Sequence, residues 1–254
     1  LTTAKLELLE VSKTFHGDGK VIKALEGINL HVDEGEFVTL VGPSGSGKST
    51  LFNLIVGLLE PDEGQICIDG ETCDHRSGRV GYMPQRDLLL PWRSVLDNAI
   101  ISQELKGVPK ERARSAARKL LPLFGLQDFA DSYPSALSGG MRQRAALLRT
   151  IQTERQILLL DEPFGALDAL TRRELQDWLL DVWRRFNQTV LFITHDVEEA
   201  LYLGDRVIVL SPRPGRVVKS LKVDLPRPRR QGMIAQQTFG QQVAELLKAL
   251  GLSL

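Results

Sequence analysis

The stretch "EFVTLVGPSGSGKST", residues 36–50, decides how the rest of this chain reads. Its first part, "EFVTLVG" (36–42), is a mostly apolar run of the kind that forms a strand buried on both faces. That run enters a glycine loop and then "KSTLFNLIVGLL", which has helical character. Gly42-Pro43-Ser44-Gly45-Ser46-Gly47-Lys48-Ser49, followed by Thr50, fits G-x-x-x-x-G-K-[ST] in the strand–loop–helix setting that motif demands. Glycines let successive amide N–H groups turn inward around a β-phosphate, and the helix N-terminus adds partial positive charge. Lys48 sets an ammonium on the β and γ oxygens, while Ser49 offers a hydroxyl to Mg²⁺. Two rival motifs fail on inspection. A dinucleotide fingerprint from Gly45 needs glycine where Thr50 stands, and a nucleophile elbow from Gly42 needs glycine where Ser46 stands.

Other strand ends supply the chemistry that a phosphate cradle lacks. "ILLLDEP" (157–163) places Asp161 at the end of a buried strand, where its carboxylate holds the shell of a Mg²⁺ ligated by Ser49. Glu162 follows directly, projects differently, and polarises a water in line with the γ-phosphorus. His195 ends the next apolar strand, "LFITHD" (191–196), positioned to donate to the γ-phosphate and hold the Glu162–water geometry. Gln85, in "YMPQ", stands where its amide reaches both metal and water. An Asp-Glu pair on a surface is ordinarily solvated charge; directly after four apolar strand residues it reads as a site. "LSGGMRQR" (137–144) raises a question, because Ser138-Gly139-Gly140 opens a second helix N-terminus suited to an anion.

Between these motifs, residues 5–11 and 21–32 alternate as half-exposed strands around a turn at "HGDG" (16–19). Short strands follow near "QICID" and "RVGYM". Residues 95–153 read as helices: "VLDNAIISQELKG", "KERARSAARKLLPLFG" and the run after Ser138. Strands return at 156–160, 189–194 and 206–210, with helices near 168–187 and 196–203. Apolar strands alternating with helices predict an α/β fold, a parallel sheet covered on both faces. "PRPRRQG" (226–232) reads as a polar linker, and Phe239, Val243, Leu246, Leu247 and Leu250 recur as a helix docked on the body. There is no internal repeat.

Composition sets the outer limits. The 254 residues suffice for one large or two small domains, and Lys+Arg and Asp+Glu balance at 32 each, which argues against a nucleic-acid partner. Cys67 and Cys73 lack the further ligands a zinc site needs and read as thiols in a reducing compartment. No apolar run reaches the ~18 residues of a membrane span, and the N-terminal alternation is not a signal peptide. The expectation is a soluble cytoplasmic chain that meets a membrane only through a partner.

The order of the pieces is more specific than any one of them. Cradle, glutamine, "LSGGM", "LLLDEP", "ALD" and "ITHD" begin at 42, 85, 137, 158, 166 and 193, and this series closely resembles the ATP-binding subunit of ABC transporters over residues 5–220. The resemblance implies a RecA-like P-loop NTPase core with an N-terminal antiparallel β layer and an inserted helical subdomain. It divides the chain into a core from 1–85 and 151–225, a helical signature subdomain at 86–150, and a linker with C-terminal helix at 226–254. Phe15 takes the place where the family stacks an aromatic ring on adenine, and Asp168 resembles the loop aspartate that communicates between two ATP sites. Asp161, Glu162, Gln85 and His195 match metal, base, sensor and switch positions. Met141 departs from the glutamine many members carry, at a variable position that leaves Ser138, Gly139 and Gly140 undisturbed.

The same resemblance answers the question of the second anion turn. Ser138, Gly139 and Gly140 would cap the γ-phosphate held by another copy, so the expected active form is a homodimer or pseudo-dimer with two ATP sites. "RDLLLPWRSVLDNA" (86–99), with "DEPFGALDALTR", looks like the nitrate, aliphatic sulfonate and taurine importers, a group that includes bicarbonate and thiamine-precursor pyrimidine uptake. Residues 86–99 lie where that family docks its membrane permease. The implied protein is an ATP- and Mg²⁺-dependent ATPase at the cytoplasmic face of the membrane, with a periplasmic or extracellular solute-binding protein as an indirect partner. A soluble ABC-type ATPase acting on DNA or the ribosome is the rival class, opposed by the single cassette and the neutral charge. A separately encoded export cassette and a small-molecule kinase are the others, and the kinase would not need "LSGGM".

Overall fold

The computed structural model describes residues 4–17, 19–73 and 75–252. Asp18 of the expected turn, and residues 1–3 and 253–254 at the ends of the expected segments, lie outside them. In chain order the strands are β1 (Ala4–Gly17), β2 (Lys20–Asp33), β3 (Phe37–Val41), β4 (Glu63–Ile68), β5 (Glu71–Thr72), β6 (Gly81–Met83), β7 (Ile157–Asp161), β8 (Thr189–Ile193), β9 (Arg206–Leu210) and β10 (Val217–Lys222). The helices are α1 (Lys48–Val56), α2 (Val95–Ala99), α3 (Ile101–Leu105), α4 (Lys110–Leu120), α5 (Gly139–Ile151), α6 (Ala169–Phe186), α7 (Val197–Leu203) and α8 (Gln237–Ala249).

The strands form two sheets. An antiparallel layer has the order β2-β1-β4-β5, and a six-stranded sheet has the order β10-β9-β3-β8-β7-β6. Within the larger sheet β9, β3, β8, β7 and β6 pair in parallel, and β10 is an antiparallel edge. That edge strand was not anticipated. Its residues alternate between half-buried and exposed, and one-sided cover over six residues gives too weak a pattern to separate it from the preceding loop.

Side-chain alternation along the parallel strands builds two cores at once. Val38, Leu40, Leu159 and Ile193 face α1, whose Leu51, Phe52, Leu54 and Ile55 pack between the two sheets against Leu6, Leu8 and Ile28. Each such side chain contributes roughly 1.5–3 kcal/mol on burial. Phe37, Leu158, Leu160, Val190 and Phe192 point the other way, into a core shared with Leu96, Phe124, Leu147 and Leu179. The helical insert is therefore packed onto the sheet rather than hung from it.

Three local readings change. "VLDNAIISQELKG" is two short helices parted at Ile100, where consecutive β-branched residues disfavour continuation. The next helix stops at Leu120, because Pro122 has no N–H to donate, and Gly125 caps the following turn in the left-handed region. The segment 226–232 is a strap, not a free linker. Arg227 donates to Leu203 O (2.7 Å) and Asp205 Oδ1 (2.8 Å) and lies 4.3 Å over the Trp183 ring. Arg229 is buried, donating to Leu201 O (3.1 Å) and Gly204 O (3.0 Å), and burial lowers its pKa to about 10. Beyond the strap, α8 docks through Phe239 and Leu246 on Val207, Val209 and Leu201, as expected of a helix on the body. Both cysteines are buried and unpaired.

Candidate nucleotide site

Parallel pairing sets the C-terminal ends of β3, β8 and β7 side by side, the edge at which open α/β sheets hold their ligands. From β3 the chain turns through the glycine loop into α1. Gly47, the residue before the helix, has φ 91°, and a Cβ there would stand 2.6 Å from a Leu25 methyl and 2.9 Å from Ala24 O. Both the torsion and the neighbouring β2 backbone therefore require glycine. Lys48 folds back over the loop, its Nζ donating to Gly42 O at 2.7 Å and Pro43 O at 3.0 Å, with Ser46 Oγ at 3.4 Å. The loop thus positions the ammonium with its own carbonyls. Burial lowers the Lys48 pKa, against the pull of Glu162 and Asp161, which favour the charged form.

At the end of β7, Asp161 is buried; burial raises its pKa, and the nearby Ser49 hydroxyl partly offsets the rise. Glu162 follows at φ 44°, a left-handed conformation rare for a residue with a side chain and held by Glu162 N donating to Ile193 O (3.0 Å). Its Oε2 lies 3.1 Å from His195 Nδ1 and 3.4 Å from Gln85 Nε2. One carboxylate oxygen therefore ties together the loops after β6, β7 and β8.

A cleft of about 440 Å³ opens above the loop. Phe15, Ser44, Gly45, Gly47, Lys48, Ser49, Thr50 and Glu162 line it, as do Ile22, Ala24 and Arg213, which the sequence did not single out. Ile22 and Ala24 sit on a strand already read as half-exposed, and Arg213 lies between two prolines, where only folding brings it near. Gly42, Pro43 and Ser46 do not line the cleft but hold Lys48, and Gln85 and His195 meet it through Glu162, while Asp161 lies outside the lining.

Ser138, Gly139, Gly140 and Asp168 are not part of this lining. Ser138 caps α5, accepting from Met141 N at 3.3 Å, and Asp168 caps α6, accepting from Thr171 N at 3.0 Å. The two caps adjoin: a Cβ on Gly139 would be 3.2 Å from Leu167, and one on Gly140 3.1 Å from Thr171. In the 86–99 segment Leu88 and Trp92 are exposed (57% and 71%) and Leu89 is buried. Arg149 of α5 holds that loop by donating to Leu88 O at 2.7 Å and Asp87 O at 2.5 Å. No helix among the described residues is long and apolar enough to cross a membrane.

Known proteins are similar to this chain in sequence and in fold. The ABC transporter family model matches residues 25–165, more than half of the chain. An uncharacterised ABC transporter ATP-binding protein of Methanocaldococcus jannaschii is 45% identical over 96% of this chain and 91% of its own length. The taurine import ATP-binding protein of Rhizobium johnstonii is 45% identical over 82% of this chain and 80% of its own length. The aliphatic sulfonates import ATP-binding protein of Bacillus cereus is 40% identical over 96% of each. A solved dimeric ATP-binding cassette, in a post-hydrolysis state bound to ADP and Pi, superposes with a TM-score of 0.74 at 33% identity, over 87% of this chain and all of that one. On the family match and on identities of 40–45% over most of its length, this chain belongs to the ABC transporter family, as one of its ATPase cassettes.

Proposed function

We propose that this chain powers solute import through a separate permease, using Phe15, the 42–50 loop, Gln85, Asp161, Glu162 and His195 as its ATP site. The observation that carries the reading is the Glu162 carboxylate, held by His195 and Gln85 beside the cleft where Lys48 stands. Phe15, with Ile22, offers an apolar face to the adenine, and the loop amides and Lys48 take the phosphates. Glu162 accepts the proton of a water as that water attacks the γ-phosphorus and ADP leaves. His195 and Gln85 hold the base in place, and His195 stands at a strand end where it reaches the γ-phosphate.

The donors near Ser49 suit Mg²⁺. A hydroxyl, a buried carboxylate from Asp161 and the Gln85 amide are hard oxygen ligands too few to form a cage, as fits a cation that shares its shell with substrate phosphates. When bound, Mg²⁺ neutralises charge developing on the β and γ oxygens.

The active unit is a dimer in which Ser138, Gly139 and Gly140 of each copy close on the ATP of the other, with Asp168 beside that turn. Residues 86–150 form the arm that carries it. Leu88, Pro91 and Trp92 face the permease at the cytoplasmic surface, and Arg149 links that loop to the signature helix. ATP closure and hydrolysis thereby move the docking surface. The relatives' names favour import, and the sulfonate, taurine and nitrate group is the proposed solute class. The test is Glu162→Gln, which keeps the side-chain shape and removes the base. Turnover should fall about 10²–10⁴-fold, while the variant still binds Mg-ATP and accumulates as a nucleotide-bound dimer on size exclusion. Hydrolysis near the wild-type rate would remove Glu162 as the base.

A further inference from the structure

Arg213 has no place in the roles above, yet its guanidinium stands at the cradle. It lines the same cleft as Lys48 and Phe15, and its Nε donates to Gly45 O at 3.4 Å. A Cβ on Gly45 would lie 3.3 Å from its Nη2. Arg216, three residues on, is paired with Glu26, whereas among the described residues Arg213 has no carboxylate partner.

The loop that carries it is tightly built. Pro212 and Pro214 flank Arg213 and fix their own φ angles. Ser211 N donates to Arg216 O (2.9 Å) and Arg216 N to Ser211 Oγ (3.0 Å), closing the loop. Gly215 N donates to Ala24 O (2.9 Å) and Gly215 O accepts from Glu26 N (3.0 Å), which stitches the loop to β2. Gly215 also abuts the phosphate loop so closely that a Cβ there would stand 2.1 Å from Ser46 O. Little of the ordering of this backbone is left for a ligand to impose.

The charges of the cleft point the same way. Among the residues lining the cleft, Lys48 and Arg213 are the cations and Glu162 is the carboxylate, so Arg213 tips the lining from neutral to net positive, as a polyanion requires. Phe15 and Ile22 furnish the apolar part of the cleft, and the guanidinium stands at Gly45, in the phosphate loop. A guanidinium is a planar fork of donors matched to phosphate oxygens.

We propose that Arg213 is a nucleotide-binding residue whose guanidinium contacts the phosphate chain of the bound nucleotide. The proposal rests on the cleft being the ATP site. It is tested with the full chain at dilute, monomeric concentration, using fluorescent ATP and ADP as probes and adenosine as competitor. Arg213→Gln should weaken ATP and ADP binding about fivefold, as loss of one exposed charge-assisted contact does, and leave adenosine unchanged. It should also flatten the dependence of affinity on salt, which screens that contact. Arg213→Lys should recover part of both effects, and thermal melting of both variants should match wild type. Unchanged ATP and ADP affinities with an unchanged salt slope would overturn the assignment. So would an equal loss for adenosine, which would mean a reshaped pocket rather than a lost charge. Lys48→Ala in the same assay keeps the two readings apart: if it binds ATP as wild type does, the ATP-site reading itself fails.

Discussion

Gly215→Ala adds one methyl group where the 211–216 loop touches the phosphate loop. The new Cβ would stand 2.1 Å from Ser46 O and 3.1 Å from the Leu25 side chain. The glycine is outside the left-handed region, so alanine meets no torsional penalty and the whole effect is contact. Backbone does not give as a flexible side chain does, so the two loops must part by about 1 Å. If the 211–216 loop yields, its bonds to Ala24 and Glu26 break, at about 1 kcal/mol each. For a chain of this size that lowers Tm by roughly 4–8 °C. If the phosphate loop yields instead, Ser46 shifts within the cradle, and a displacement of about 1 Å costs up to ~100-fold in a positioned site. Melting curves and fluorescent-ATP titrations on one preparation measure both routes. Gly240→Ala is the control: nothing lies within 4 Å of its added methyl on an exposed turn of α8, and it should be stabilising by up to about 1 kcal/mol. A Gly215→Ala protein with Tm within about one degree and ATP affinity within about twofold of wild type would refute the close packing inferred here.

Other variants separate roles that adjoin in the sequence. Leu89→Ala should cost about 2–4 kcal/mol in urea unfolding, because Leu89 is buried. Trp92→Ala should stay within about 0.5 kcal/mol, yet reduce co-purification with a co-expressed permease, and equal destabilisation by both would erase the distinction. Ser138→Arg should abolish hydrolysis while monomers still bind ATP, at a stability cost of up to about 2 kcal/mol from the lost cap; normal turnover would end the two-copy site. Glu199 is buried, accepts from Gln176 Nε2 at 2.8 Å, and has its pKa raised chiefly by burial, with Thr194, Gln176 and Arg172 opposing. The native state therefore holds this proton more tightly than the unfolded chain, and the associated stability is lost as pH rises through the folded pKa. Glu199→Gln should accordingly raise Tm at pH ~7 and leave it unchanged near pH ~4; a difference that does not vary with pH would contradict this.

What the sequence determined by itself was everything encoded in local order. Gly42–Ser49 between an apolar strand and a helix specified a phosphate loop, because the amides that take a phosphate are consecutive in the chain. Asp161, Glu162 and His195 were legible because each lies at or within two residues of the end of an apolar strand, and parallel strands end at one edge. The helical stretch, α6 and α7 followed from periodicity. Folding decided which groups from distant segments meet. The φ of 44° at Glu162, which turns one oxygen toward both His195 and Gln85, leaves no trace in composition or spacing. Leu88, Leu89 and Trp92 share one apolar run and divide between surface and core only by packing. Segment 226–232 reads as polar and proline-broken because its arginines are polar, yet Leu201, Leu203, Gly204 and Asp205 supply partners that make it a strap. Arg213 reaches Gly45 across 168 residues of chain. Local signals fix elements and strand-end chemistry, whereas contacts over such separations arise only when the whole core buries its apolar faces.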